Sequence, residues 1–464
     1  METKAYQQSR YFHSVDGGNG IFLIYHALFN QPREVEESVV DFIHLFQEPK
    51  TLDEMADYCE GDIEEVVKTL TDLHLLEYEG NDELELLEAL HEDFLTELKQ
   101  GNRLQRLELA ISNACNFGCK HCMHFLNNDF ETRNSPELNM SAETAKESID
   151  KFIEKVRSSE NSLVRIHFGN GEPLLNWKTL LFVLEYCESI PDMQFFYAIN
   201  TNLSLLNRQK AETLKKYKVK ISTSLDGLRE ANDLIRVDSK GQGTFDKILS
   251  KIRLLESIEY PIDGFSVTVT DTNFALIDEQ VIDLGTSLGV KDVSMDFDLV
   301  RSTAIPIEDC VNKIIDLRRY AHQQGLNFYG TWETPYRILM SHSWLSKPHA
   351  FCPSMEGKTI EFNVDGTLKT CGHTNTVVGN SLEFEKCFEQ GSLYMQLIQR
   401  RLPGNNQFCK GCEIEGCCAG QCHVTLESAK KDSDLVQRTC ELMKRTTKGL
   451  IVEYLQGREE LNYG

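Results

Sequence analysis

Eight residues, Cys115-Asn-Phe-Gly-Cys119-Lys-His-Cys122, hold three thiols directly after a strand-like run, Leu107-Glu-Leu-Ala-Ile111. A closed structural zinc site asks for four ligands in a tetrahedron. An iron–sulfur cube is held by thiolates and tolerates one iron left for another ligand. The next cysteine after this loop is Cys187. Three ligands on one tight loop suit a cube with a free corner better than a zinc knot.

A second constellation starts at Phe351, where the periodicity of the chain dissolves. Cys352 is followed by Gly366 and Cys371, then by Cys409-x2-Cys412-x5-Cys418-x3-Cys422, and after a gap by Cys440. The intervening Thr359-Ile-Glu-Phe-Asn-Val-Asp-Gly366-Thr-Leu-Lys-Thr-Cys371 reads as a β-hairpin turning at Asp365-Gly366, which would bring Cys352 and Cys371 together. Cys59, Cys187, Cys310, Cys387 and Cys417 stand outside both patterns and read as buried small apolar residues. Cys417 abuts Cys418, and the x5 spacing selects Cys418.

Polar motifs sit between the two constellations: Gly169-Asn-Gly171-Glu172-Pro173, Asn200-Thr-Asn202, Ser222-Thr-Ser224-Leu-Asp226-Gly227, and Arg236 ten residues past Asp226. Together with the first cysteine loop they resemble the radical S-adenosylmethionine (SAM) enzymes. The resemblance implies that Cys115, Cys119 and Cys122 hold a 4Fe–4S cluster whose open iron chelates SAM, and that His121 fills the usual aromatic position. Gly171, Glu172, Asn202, Ser224 and Arg236 are then expected around SAM. Asn170 stands where the family has a glycine, and asparagine tolerates positive φ better than most residues.

The second constellation resembles the SPASM domain of peptide-modifying radical SAM enzymes at every position. That implies two auxiliary 4Fe–4S clusters, an outer one on Cys409, Cys412, Cys418 and Cys440 and an inner one on Cys352, Cys371 and Cys422. Residues 340–351 hold no further cysteine, so the inner cluster is expected to keep an exchangeable iron, with a substrate thiolate, water, His349 or Cys310 as its fourth ligand.

These motifs need positioning elements. Strands are expected at 105–111, 163–168, 194–200, 219–225, 264–270 and 291–297, and helices at 141–157, 176–189, 207–217, 244–258, 273–288 and 308–324. Six βα units imply an α/β fold with a parallel sheet. By the resemblance this is a partial (β/α)6 barrel with the motifs at its C-terminal strand ends. The aromatics of 331–349 read as packing.

The first hundred residues differ. Arg10-Tyr-Phe-His-Ser-Val15, the turn cluster Asp16-Gly-Gly-Asn-Gly20 and Ile21-Phe-Leu-Ile-Tyr-His-Ala-Leu-Phe29 read as a hairpin. Val39, Phe42, Ile43 and Phe46 share a helical face, Thr51-Leu-Asp-Glu54 resembles a capping box, and a third helix carries Val66, Val67, Leu70, Leu73 and Leu75. Leu76-Glu-Tyr-Glu79 exits as a strand or wing, and 82–100 is a connecting helix. This winged-helix pattern resembles the PqqD-like element that grips a precursor peptide's leader by adding it to a sheet edge.

Residues 1–100 hold 24 Asp and Glu against 6 Lys and Arg, and the whole chain carries −24. The third helix is acidic, which argues against nucleic acid. No 18-residue apolar run or signal core is present, so no membrane span or secretion is expected and the location is read as cytoplasmic.

The expected domains are 1–100 for leader recognition with a linker helix, 101–330 for the radical SAM barrel, 331–445 for the SPASM domain and 446–464 for a tail. The expected function is maturation of a ribosomally made precursor peptide, with electrons from a flavodoxin or ferredoxin. A thioether crosslink comes first. Carbon–carbon or other carbon–heteroatom crosslinking, or sulfatase-type formylglycine formation, is the alternative.

Overall fold

Alternation of buried and half-exposed residues along six segments builds the centre of the molecule. The computed structural model describes residues 4–58, 61–80, 84–123, 136–157, 162–341, 349–429 and 432–457. In it β7 (Arg106–Ser112), β8 (Leu163–Asn170), β9 (Gln194–Asn200), β10 (Lys220–Ser224), β11 (Gly264–Val269) and β12 (Asp292–Phe297) lie side by side in chain order, all parallel. β13 (Asn327–Tyr329) extends the β12 edge. The hairpin β14 (Thr359–Phe362) and β15 (Thr367–Lys369), with β16 (Val377–Asn380), extends the other edge, β14 running parallel to β7.

Because crossovers between parallel strands are right-handed and the order never reverses, the intervening helices lie on one face. Leu107, Leu109, Ile111, Ile166 and Phe168 pack there against Ile149, Phe152, Leu180 and Leu184. The opposite face is polar at the centre: Glu361, Glu108 and His167 stand in register on β14, β7 and β8.

The helices follow the expected order: Ala142–Arg157, Trp177–Glu188, Arg208–Lys216, Phe245–Glu256, Gln280–Ser287 and Ile307–Gln323. The helix expected from 273 starts at Gln280 instead. Asn273 accepts the Thr270 backbone N–H at 2.7 Å and donates to the Thr268 carbonyl at 3.0 Å, which holds the segment in a tight turn. Trp332 is fully buried and donates to the Met295 carbonyl, as packing requires.

The N-terminal hairpin is a three-stranded sheet: β2 (Phe12–Asp16), β3 (Ile21–His26) and β4 (Asn30–Glu36). The second turn has no glycine. Asn30 and Gln31 take positive φ, and His26 Nδ1 accepts the N–H groups of Leu28 and Phe29. A strand at the start, β1 (Ala5–Gln8), pairs with β5 (Lys50–Thr51) and β6 (Leu76–Tyr78). The capping box at Thr51 and Glu54 forms in both directions. The connecting helix is Leu84–Gln100, and residues 82–83 of its expected span lie outside the described residues, as do Cys59 and 342–348.

The hairpin sheet has two apolar faces. Phe12 and Ile24 join Val40, Ile43, Phe46, Val67 and Leu70 in a small core. Val15, Leu23 and Tyr25 face the main core. Gly416 N–H bonds to the Ala27 carbonyl at 2.6 Å, and Gln456 Nε2 reaches the Gly17 carbonyl at 2.8 Å. The C-terminal helix Ser433–Leu455, which runs through the boundary expected at 445, carries this contact. The first hundred residues are therefore cemented to the rest. Among the described residues no helix is long and apolar enough to cross a membrane.

Candidate functional site

The first cysteine loop is held by backbone. Gly118 N–H bonds to the Val237 carbonyl and Lys120 N–H to Ile235, both at 2.8 Å, so the loop zips onto the segment that carries Arg236. Arg236 forks onto Asp226, with Nε and Nη2 each 2.9 Å from Oδ2, and its Nη1 donates to Cys119 Sγ at 3.5 Å. The partner of the fork is therefore Asp226. Asp226 also accepts the Thr268 N–H at 2.8 Å, tying β10 to β11. His121 Nε2 lies 3.2 Å from Arg236 Nη2, and its buried Nδ1 has no partner. Burial lowers its pKa to about 4, so the ring is neutral.

The second strand end meets the same loop. Asn170 does take positive φ, at 75°. A Cβ on Gly171 would stand 2.1 Å from the Ala114 carbonyl oxygen, so only glycine lets β8 approach the loop this closely. Glu172 is buried and internally engaged. It accepts Thr201 Oγ1 at 2.6 Å, Leu174 N–H at 2.9 Å and Asn202 N–H at 2.7 Å. It ties two strand ends together, and burial raises its pKa. Asn202 donates to Asn116 Oδ1 at 3.0 Å and lies 4.0 Å from Cys115 Sγ. Ser224 ends β10, half-buried, in register with Ser266. Gly171, Glu172, Asn202 and Arg236 each touch the first cysteine loop, and in Glu172 and Arg236 the charged groups have protein partners.

The C-terminal cysteines fall into two groups. Cys371 lies within electrostatic reach of Cys422 and Cys352. Cys418 lies within reach of Cys440, Cys409 and Cys412. Cys417 donates to the Ile414 carbonyl at 3.5 Å and lies near Tyr25, and it is also within electrostatic reach of Cys418 and Cys412. Cys310 sits among Arg438, Asp309, Asp271 and Lys313, apart from the inner group. His349 Nδ1 pairs with Glu356 Oε1 at 2.9 Å and its buried Nε2 has no partner.

Do these residues fit iron–sulfur clusters? Burial pushes Cys115, Cys371 and Cys409 up to about 12 and Cys352 and Cys440 up to about 11, so they ionise only for a cation that rewards it. Thiols gathered in threes and fours are a donor set of the kind that iron–sulfur clusters take.

The sequence reading missed the polar row inside the sheet. Glu361 accepts Asn170 Nδ2 at 3.2 Å, and burial with the neighbouring Glu108 pushes its pKa up to about 7. It lies between the Asn170 turn and the chain beside Cys371: a Cβ on Gly372 would meet Glu361 Oε2 at 2.4 Å. Period-two alternation in Leu107-Glu108-Leu109 was the available signal.

Comparison with known proteins places this geometry. Residues 109–284 match the radical SAM superfamily. The chain is 24% identical to the radical SAM cyclopropyl synthase TigE of Paramaledivibacter caminithermalis over 96% of its own length and 95% of TigE. It is 31% identical to an uncharacterised protein of Methanocaldococcus jannaschii over 47% of this chain and 72% of that one. Among solved structures, anSMEcpe with bound AdoMet superposes with TM-score 0.62 at 17% identity, covering 76% of this chain and 99% of that one. Streptococcus suis SuiB, solved bound to its precursor peptide SuiA, gives 0.55 at 16%, covering 92% and 97%.

Proposed function

The chain belongs to the radical SAM superfamily, and from that premise we propose that it matures a precursor peptide by forming a new bond within it. The observation that carries this reading is coverage: TigE is matched over 96% of this chain and 95% of its own length. TigE is a cyclopropyl synthase by name, which favours closure of a carbon–carbon bond over the thioether that the sequence put first.

In this reading residues 1–100 bind the leader at a free edge of the β2–β4 sheet. Residues 101–330 hold SAM and a cluster on Cys115, Cys119 and Cys122, and 331–445 hold two auxiliary clusters, with 446–455 completing the last helix. When bound, the first cluster and SAM supply a 5′-deoxyadenosyl radical that removes a hydrogen atom from the peptide. This chain's residues orient and exclude. Arg236 and Asp226 lock the cysteine loop against β10 and β11. Glu172, Thr201 and Asn202 fix the strand ends. Gly171 and Asn170 shape the backbone where the SAM amino group is received, and Ser224 offers a hydroxyl to its carboxylate or ribose. A flavodoxin or ferredoxin supplies electrons.

The thioether reading keeps one specific support: the inner group has three thiols, with Cys310 elsewhere, so a substrate thiolate has an iron to bind. The test is anaerobic incubation of the reconstituted enzyme with SAM, reductant and the precursor peptide. Both bonds remove two hydrogens from the peptide. A carbon–carbon product keeps every cysteine open to alkylation, a thioether product loses one, and 5′-deoxyadenosine without peptide change refutes both.

A further inference from the structure

Arg401 is a buried guanidinium that pairs with no carboxylate among the described residues. It is 7% exposed, just past the helix Leu393–Gln399. Its Nη2 donates to the carbonyl oxygens of Gly420, at 2.7 Å, and Gln421. Its Nε is buried with no partner. The charges that act on it belong to four thiols, Cys418, Cys422, Cys409 and Cys352. Two of these come from the outer group and two from the inner group, so the guanidinium lies between them.

Gly420 packs against this guanidinium. It has φ +81°, and a Cβ there would stand 2.5 Å from Asn406 Nδ2, 3.2 Å from Arg401 Nη1 and 3.5 Å from Cys409 Sγ. Arginine stays protonated in proteins, and an unpaired charge in the interior costs several kcal/mol. Neutral thiols do not repay that cost. Thiolate-bound clusters, which are anionic, do.

We propose that Arg401 is the shared counter-cation of the two auxiliary clusters and holds both at a more positive reduction potential. This rests on the auxiliary-cluster reading given above. A cation beside a cluster stabilises its reduced, more negative form, so removing the charge moves the couple negative. Arg401 is a positioning residue here: it takes no part in the bond that forms.

A second role for the same side chain is mechanical. Ala419, Gly420 and Gln421 all take positive φ, a costly run in which Arg401 clamps two carbonyls. Charge and clamp are separable. Lysine keeps the charge and loses the fork; glutamine loses the charge.

The experiment is an anaerobic redox titration, followed by electron paramagnetic resonance, of the full-length reconstituted protein, R401K and R401Q, with iron quantified in each. In R401Q both auxiliary couples are expected to move negative by about a tenfold change in the oxidised-to-reduced ratio, about 59 mV for one electron. R401K should stay near the parent, and the SAM-binding cluster should not move in either. Unmoved auxiliary couples in iron-replete R401Q overturn the proposal. So does an equal shift, or equal loss of iron, in R401K and R401Q, which would make Arg401 a loop clamp only. Parent protein that binds iron for a single cube overturns the auxiliary-cluster reading itself, and the proposal with it.

Discussion

The first cysteine loop and the outer cysteine group solve opposite problems. Cys115, Cys119 and Cys122 lie on one loop whose backbone is zipped to 235–237, and polar side chains crowd around them: Arg236, His121, Asn116 and Asn202. The outer group draws three thiols from 409–418 and a fourth, Cys440, from the C-terminal helix, where Gln421 Nε2 donates to Cys440 Sγ at 3.3 Å. Three ligands among polar groups suit a site that must admit a charged cofactor. Under the proposed assignment, four thiols gathered from two elements would suit a site that only passes electrons. The chemistry of a cluster is set by how many of its corners the protein leaves.

The largest effect should come from emptying the first loop. Changing Cys115, Cys119 and Cys122 together to alanine should abolish 5′-deoxyadenosine formation and remove about a third of the iron. If the variant still cleaves SAM, the open-corner assignment is wrong. On the other side of the comparison, Cys418→Ala should also lose about a third of the iron, while Cys417→Ala, whose thiol donates to the Ile414 carbonyl, should keep all of it. Equal loss in the two variants would mean that the spacing argument chose the wrong neighbour.

Much of this was legible in the chain. The six parallel strands came out within two residues of their expected ends, because each is a short apolar run closed by a turn signal. The nearness of Cys371 to Cys352 and Cys422, and of Cys418 to Cys409, Cys412 and Cys440, was legible because cysteine spacing is written locally. Three things were not. The turn at 27–30 is stabilised by a histidine side chain rather than by glycine, so the sequence reads as a strand running on through it to Phe29. The second apolar face of β3 looks in sequence like an ordinary buried strand, and only the fold reveals what covers it. The engagement of Arg236 with Asp226 and of Glu172 with Thr201 and Asn202 depends on loops far apart in sequence. A motif names the residue and not its partner.

The docked hairpin changes how leader binding is tested. Removing residues 1–95 would strip Leu23, Tyr25, Leu28 and Phe29 from the main core, so loss of activity would report unfolding. A backbone-directed change is cleaner. Val35→Pro, on an edge strand that lies in register with Phe22, removes one N–H and one side chain. It should weaken precursor binding about tenfold if the leader adds to this edge, with SAM cleavage in the absence of peptide unchanged. Unaltered precursor affinity would exclude the β4 edge.

Asp226 tests how the loop is held. Asp226→Asn should keep the fold of β10 while weakening the grip on Arg236, because a charge-assisted fork becomes a neutral contact worth about 1–2 kcal/mol less. The freed guanidinium then sits beside Cys119 without its counter-charge. The expected outcome is a few-fold lower rate of SAM cleavage at full iron content. A loss of iron equal to that of the triple alanine variant would mean that Asp226 builds the loop rather than orients it.

The smallest effect concerns Glu361, which lies between the two cysteine regions. Its carboxyl is raised from the ordinary range to about 7, first by burial and then by Glu108, with Asn170 and Lys369 opposing. Below the unfolded pKa it is neutral in both states and costs nothing. As pH rises through the folded pKa, the native state must either keep a proton that the unfolded chain has released or bury a carboxylate, and stability falls. Replacing Glu361 with glutamine removes that penalty. The variant should match the parent near pH 4.5 and exceed it by up to about 3 kcal/mol above pH 7. Anaerobic denaturant titrations of both cluster-loaded proteins across this window measure the gap. A gap that stays flat with pH would mean that Glu361 reaches solvent or a cation in solution, and that the polar inner row is not the enclosed surface that its register on β14, β7 and β8 implies.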